Sequence, residues 1–134
     1  MTEEIDLVNH PAHYEKCRIV LEPVDLTERL PHALASAIEY ILRSPYKGTE
    51  KLDLQKAIWW LKRFRDVYLD LIAAQSDYPL TSTTSVVMSM FCSKNETLNS
   101  LVECDTETLY ISVVTVNRTI IKLERRIAEI EKDV

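Results

Sequence analysis

The chain has 134 residues, 46% hydrophobic and 28% charged, with one glycine and five prolines. That length suits one packed domain, or a domain with an appended helix, and the apolar share excludes a disordered chain. A formal net charge of −5 argues against a binder of duplex DNA or RNA, which needs a basic face to neutralise phosphates, although a small basic pocket for a nucleotide-sized ligand is compatible with it.

Scarce glycine points away from hairpins and bulges and toward helices joined by short connections, so the expected fold is all-α. Its parts are an irregular N-terminal arm, two core helices and a C-terminal coiled-coil-like oligomerisation helix. Cys17, Cys92 and Cys104 are odd in number and form no CxxC pair. With no signal peptide and no apolar run of membrane length, the expected setting is a reducing cytoplasm, without membrane contact.

Met1 to Leu7 reads as a polar arm. The stretch Asn9-His10-Pro11-Ala12-His13-Tyr14 then gathers two imidazoles, a carboxamide and a phenol with neither helical nor strand periodicity. Such a cluster adds little to a core, so its polar groups need another purpose. Arg18 to Leu21 can run extended until Pro23. Asp25 and Glu28 have capping-box spacing, with Leu26 to Leu30 as a short turn before Pro31, which is tolerated in the first turn of a main helix. Ala33, Ala37, Ile38, Ile41 and Leu42 give that helix a buried stripe, and Ser44-Pro45 stops it.

A second helix is expected from Thr49, as N-cap, to about Ala74. Its apolar face is Leu54, Ile58, Leu61, Val67 or Tyr68, Leu71 and Ile72. Gln75 to Ser85 reads as a linker, and Val86 to Cys92 as a short apolar run, helix or strand. Leu109, Val113, Val116, Ile120, Leu123, Ile127, Ile130 and Val134 then alternate in steps of four and three, the a/d seam of a coiled coil. Arg126 at g and the next e residue, Glu131, suit pairing between parallel chains, so a homo-oligomer is expected. The domain division is therefore 1–74, a linker with short elements over 75–104, and a heptad helix over 105–134.

His10, His13 and Cys17 are too irregularly placed for a zinc site, and no fourth ligand follows at finger spacing, so no metal is assigned. Arg43, Lys47 and the Gly48 amide read as a phosphate cradle, the alternative being a solvated helix end. Asp25, Glu22 and Asp53 have the chemistry to hold a cation, yet Asp25 and Asp53 also suit helix starts. Trp59 and Trp60 point to different faces; one belongs to the core, and the other stacks on a base or on a neighbouring helix. No GxxxxGK[ST] loop occurs, which excludes a P-loop kinase.

The Asn9–Tyr14 box, the Leu21-Glu22-Pro23-Val24-Asp25 step, and Tyr40-Ile41-Leu42-Arg43, Lys47-Gly48 and Asp53-Leu54-Gln55-Lys56-Ala57-Ile58-Trp59-Trp60-Leu61 together carry a likeness. At this spacing they resemble a small family of phage nucleotide kinases that lack a Walker motif, from about Leu7 to Arg65. The resemblance implies phosphoryl transfer to a nucleoside monophosphate, ATP as donor and the host cytoplasm as setting. It places Arg43, Lys47 and Gly48 at phosphates and Asn9, His10, His13 and Tyr14 at the base or sugar, with Lys56 and Trp60 completing the ligand set. The family often has Lys where this chain has Glu39, and Glu where it has Leu52. Those departures suit a second expectation, a non-enzymatic oligomeric sponge that sequesters nucleotides or nucleotide immune signals. A third is a coiled-coil adaptor whose His box is only a folding element.

Overall fold

The computed structural model describes residues 21–46, 48–72 and 77–133, with the side chains of Asp70, Leu71 and Ile72 left aside. The polar arm, the His box, Cys17, Lys47 and Val134 lie outside the described residues.

A short helix, α1 (Pro23–Thr27), opens the described chain with proline at its start, where no backbone donor is missed. The Glu22 amide donates to Asp25 Oδ2 at 2.7 Å, so the box lies one turn earlier than the Asp25/Glu28 spacing predicts. Pro31 occupies the cap position just before α2 (His32–Arg43), rather than its first turn. The stripe expected on α2 is buried at Ala37, Ile38 and Ile41, joined by Leu34. After a turn through Ser44, Pro45 and Tyr46, α3 (Glu50–Arg63) returns along α2, and its axis continues as a wider π-helical stretch, Phe64–Ile72. Leu54, Ala57, Leu61, Phe64 and Leu69 form its buried side.

The second half corrects the all-α expectation. Strands β1 (Asp77–Pro79), β2 (Glu103–Asp105) and β3 (Thr108–Ser112) form an antiparallel sheet in the order β1-β3-β2. Glycine scarcity misled because the β2–β3 hairpin turns without glycine. Thr106 takes the left-handed φ of 51° that such a turn requires, an uncommon conformation for a β-branched residue. Pro79 is accommodated because β1 is an edge strand. The Thr/Ser run read as linker is a helix start: Thr81 Oγ1 accepts from the Thr84 amide at 3.2 Å and caps α4 (Ser82–Cys92). That resolves the Val86–Cys92 ambiguity as helix. Asn95 caps the short α5 (Glu96–Ser100) by accepting from the Leu98 amide at 3.0 Å.

The C-terminal helix, α6 (Val113–Lys132), begins four residues later than the heptad pattern suggests, because Leu109 lies in β3. A reciprocal box sets the start. The Thr115 amide donates to Ser112 Oγ, and the Ser112 amide to Thr115 Oγ1. Thr115, Val116, Thr119, Ile120 and Leu123 are all buried, an arc wider than a two-position seam, as expected for a helix packed on its own domain. The helix meets α3, α5 and β3 within the chain. Thr119 Oγ1 bonds the Thr115 carbonyl and lies 3.0 Å from Ser100 Oγ, so its polar group is satisfied in the core. Arg126 forks onto Glu50, and Lys51 pairs with Glu131, both within the chain rather than across a coiled coil. None of the helices among the described residues is long and apolar enough to cross a membrane.

Candidate functional site

α2 and α3 run antiparallel, so contacts pair the end of one with the start of the other: Arg43 with Asp53, Tyr40 with Lys56, and His32 with Trp60. Residues three or four apart on a helix share a face. Tyr40 and Arg43 are such a pair on α2, and Lys56, Trp60 and Arg63 such a series on α3. One continuous strip of cations and aromatic rings results.

At its upper end the Arg43 guanidinium carbon lies 5.2 Å, and Lys56 Nζ 5.5 Å, from the centroid of the same Tyr40 ring. A ring's π face attracts cations, and the Tyr40 ring is within reach of both. Beneath them lies Asp53, wholly buried at 0% exposure, with Oδ1 3.4 Å from Arg43 Nε. Asp53 Oδ2 accepts from Thr49 Oγ1 at 3.2 Å, while Oδ1 has no hydrogen-bond partner among the described residues. Distance and bonding thus differ for Oδ1: the charges are close enough to attract, but the N–H is not aimed well enough to bond. Gly48 has a φ of 72°, a left-handed conformation that glycine adopts freely, and open space surrounds the position of a Cβ.

About 6 Å further along α3, by its rise per residue, the strip becomes an open groove of about 650 Å³. His32, Trp59, Trp60, Arg63 and Tyr68 line it. The His32 ring stands edge-on to Trp60 at 5.2 Å, and Trp59 edge-on to Trp60 at 4.8 Å. Trp60 is half-buried and packs against the core, whereas Trp59 is 58% exposed. Both indoles therefore reach the groove. The widened turns after Arg63 carry Tyr68 into the same wall, where it stacks on buried Phe64 at 5.3 Å.

Of the residues read from sequence as ligand-binding, the structure brings Arg43, Lys56 and Trp60 onto one face, with Gly48 on the connection beside them. Asn9, His10, His13, Tyr14 and Lys47 lie outside the described residues. Asp25 is engaged in starting α1. Tyr40, the ring that both cations approach, and Arg63 and His32, walls of the groove, were not among the residues so read. The i,i+3 pairing of Tyr40 with Arg43 and the i,i+4 pairing of Lys56 with Trp60 were available as signals.

Among the described residues, no cluster of three or more His, Cys, Asp or Glu side chains could hold a metal ion. The two described cysteines, Cys92 and Cys104, are free and absent from this strip. Burial pushes the Cys92 thiol up to about 11, so at about pH 8 roughly one thiol in a thousand is ionised there. Cys104 is exposed. Iodoacetamide is expected to label Cys104 well before Cys92 in the folded protein, read by peptide mapping. Equal rates would show that α4 does not shield Cys92.

Residues 8–62 match the family model DUF3310, described as a protein of unknown function. The match takes in the His box, α1, α2 and nearly all of α3. Tyr40, Arg43, Asp53, Lys56 and Trp60 fall inside it, while Arg63 and Tyr68 on the far wall of the groove fall outside. No curated protein and no solved structure matches the chain.

Proposed function

We propose that the chain binds a nucleoside monophosphate along the strip between α2 and α3 and takes part in phosphoryl transfer to it. The observation that supports this reading best is the pair of cations, Arg43 and Lys56, converging on one tyrosine ring beside an aromatic groove. Arg43 offers a planar fork and Lys56 a mobile point charge, a combination suited to phosphate oxygens. The indoles of Trp59 and Trp60 and the ring of His32 give a base a surface to stack on. Phosphoryl transfer needs chiefly positioning and neutralisation of charge, which such a cluster supplies without a P-loop. The kinase activity itself, with ATP as donor, rests on the sequence resemblance. The alternative is a sponge that holds the nucleotide unchanged, favoured by Leu52 standing where the family often has a carboxylate.

Calorimetry with the four common nucleoside 5′-monophosphates and their nucleosides tests the binding. Arg43→Ala combined with Lys56→Ala is expected to lower monophosphate affinity by about a hundredfold or more, since each charge-assisted contact contributes about 1.5–3 kcal/mol, and to leave nucleoside binding unchanged. Equal losses for both would remove these cations from the phosphate end. Chromatography of a mixture with ATP then separates the two readings: a kinase forms ADP and nucleoside diphosphate, whereas a sponge returns both nucleotides intact.

A further inference from the structure

We infer that Asp53 is a positioning residue, which holds Arg43 by its inner edge so that the outer edge of the guanidinium faces the ligand's phosphate. The inference rests on the nucleotide reading of the strip and assigns a role within it to a residue that does not touch the ligand. Asp53 is fully buried, and one of its carboxylate oxygens has no hydrogen-bond donor among the described residues. A buried charge left in that state is costly unless an opposite charge lies close by. Arg43 is that charge, with Nε 3.4 Å from Oδ1 and its side chain 48% exposed.

The chain contains its own comparison for such a pair. Arg126 meets Glu50 through two parallel bonds, Nε to Oε2 at 2.9 Å and Nη2 to Oε1 at 3.0 Å, which leaves only Nη1 of the fork, and that donates to Glu129. This closed arrangement is what a purely structural tie looks like. Arg43 is held differently. Asp53 Oδ1 approaches it at Nε, at 3.4 Å and without a hydrogen bond, and the second carboxylate oxygen accepts from Thr49. The guanidinium lies over the Tyr40 ring, which Lys56 also approaches, and its Nη groups have no acceptor among the described residues. Planar Arg43 thus has one edge against a buried anion and the other available to an incoming one. Thr49, at the N-cap position of α3, makes no cap hydrogen bond with its side chain and instead donates its hydroxyl to Asp53, which fixes the carboxylate in turn.

Asp53→Asn keeps the side-chain volume and an oxygen for Thr49, and removes only the charge. Titrating the folded full chain with a nucleoside 5′-monophosphate, the matching nucleoside and inorganic phosphate, each by calorimetry, reads the consequence. Asp53→Asn is expected to weaken monophosphate binding by about tenfold and leave nucleoside binding unchanged; in the double variant with Arg43→Ala it adds nothing to the loss from Arg43→Ala alone, because both act through one group. Monophosphate binding unchanged by Asp53→Asn, equal weakening for monophosphate and nucleoside, or losses that add in the double variant would each overturn the positioning role while leaving the nucleotide reading in place. Wild-type protein that binds none of the three probes overturns the nucleotide reading and this inference together.

Discussion

Replacing Ile120 and Leu123 together by glutamate is expected to unfold the chain rather than only to separate subunits. The two side chains are 5% and 2% exposed and lie in the core shared with α3. Returning each to water forfeits about 1.5–3 kcal/mol of apolar burial. Keeping them inside instead buries two unpaired carboxylates, each at a cost of several kcal/mol. The first route costs about 3–6 kcal/mol for the pair and the second more, against the roughly 5–15 kcal/mol that holds a domain of this size together. Near-ultraviolet circular dichroism is expected to collapse, with no cooperative melting transition left. Ile121→Glu with Val114→Glu, on a face 49% and 72% exposed, serves as the control and is expected to melt close to wild type. Should the Ile120/Leu123 variant instead remain cooperatively folded at a smaller mass in light scattering, the seam would join subunits and its packing inside the chain would be wrong.

Phe64→Ala carries the second largest effect. Phe64 is fully buried where α3 widens into its π-helical stretch, stacked on Tyr68 at 5.3 Å and edge-on to Tyr78 at 6.0 Å. Truncating a buried phenylalanine costs about 3–5 kcal/mol, in lost transfer energy plus the cavity left behind. For a domain of this length that lowers the melting temperature by roughly 10–20 °C. The same change removes the backing of Tyr68, which lines the aromatic groove. Nucleoside binding is therefore expected to weaken along with stability, in contrast to Arg43→Ala combined with Lys56→Ala, which acts on the phosphate end alone. A fall of only a degree or two would mean that neighbouring rings close over the gap and that Phe64 does not anchor this wall.

Much of the α2–α3 unit is legible in one dimension. Apolar residues at helical spacing mark the buried sides of both helices, and Ser44-Pro45 marks the turn between them, because proline's ring and missing donor act on its immediate neighbours whatever the rest of the chain does. The second half is less legible for the opposite reason. Whether Thr108 to Ser112 becomes a strand depends on β1 and β2 arriving on either side of it, and both are distant or weak in sequence. The hairpin turn gives no warning either, since Thr106 adopts a conformation usually left to glycine.

The C-terminal periodicity shows the same division. Steps of four and three from Val113 onward state that one side of a helix is buried, and α6 bears that out at Val116, Ile120 and Leu123. They do not state what covers that side, since an a/d seam is as apolar toward its own domain as toward a second chain.

At the candidate site, residue type was readable and arrangement was not. Arg43, Lys56 and Trp60 could be named from their chemistry and from the family resemblance. Local order along α2 places Tyr40 beneath Arg43, and local order along α3 places Lys56 one turn before Trp60. The meeting of both cations on a single ring, and the burial of Asp53 behind Arg43, follow only when α3 packs back against α2. That packing joins residues whose separation in the chain carries no trace of their distance in space, so tertiary structure alone could decide it.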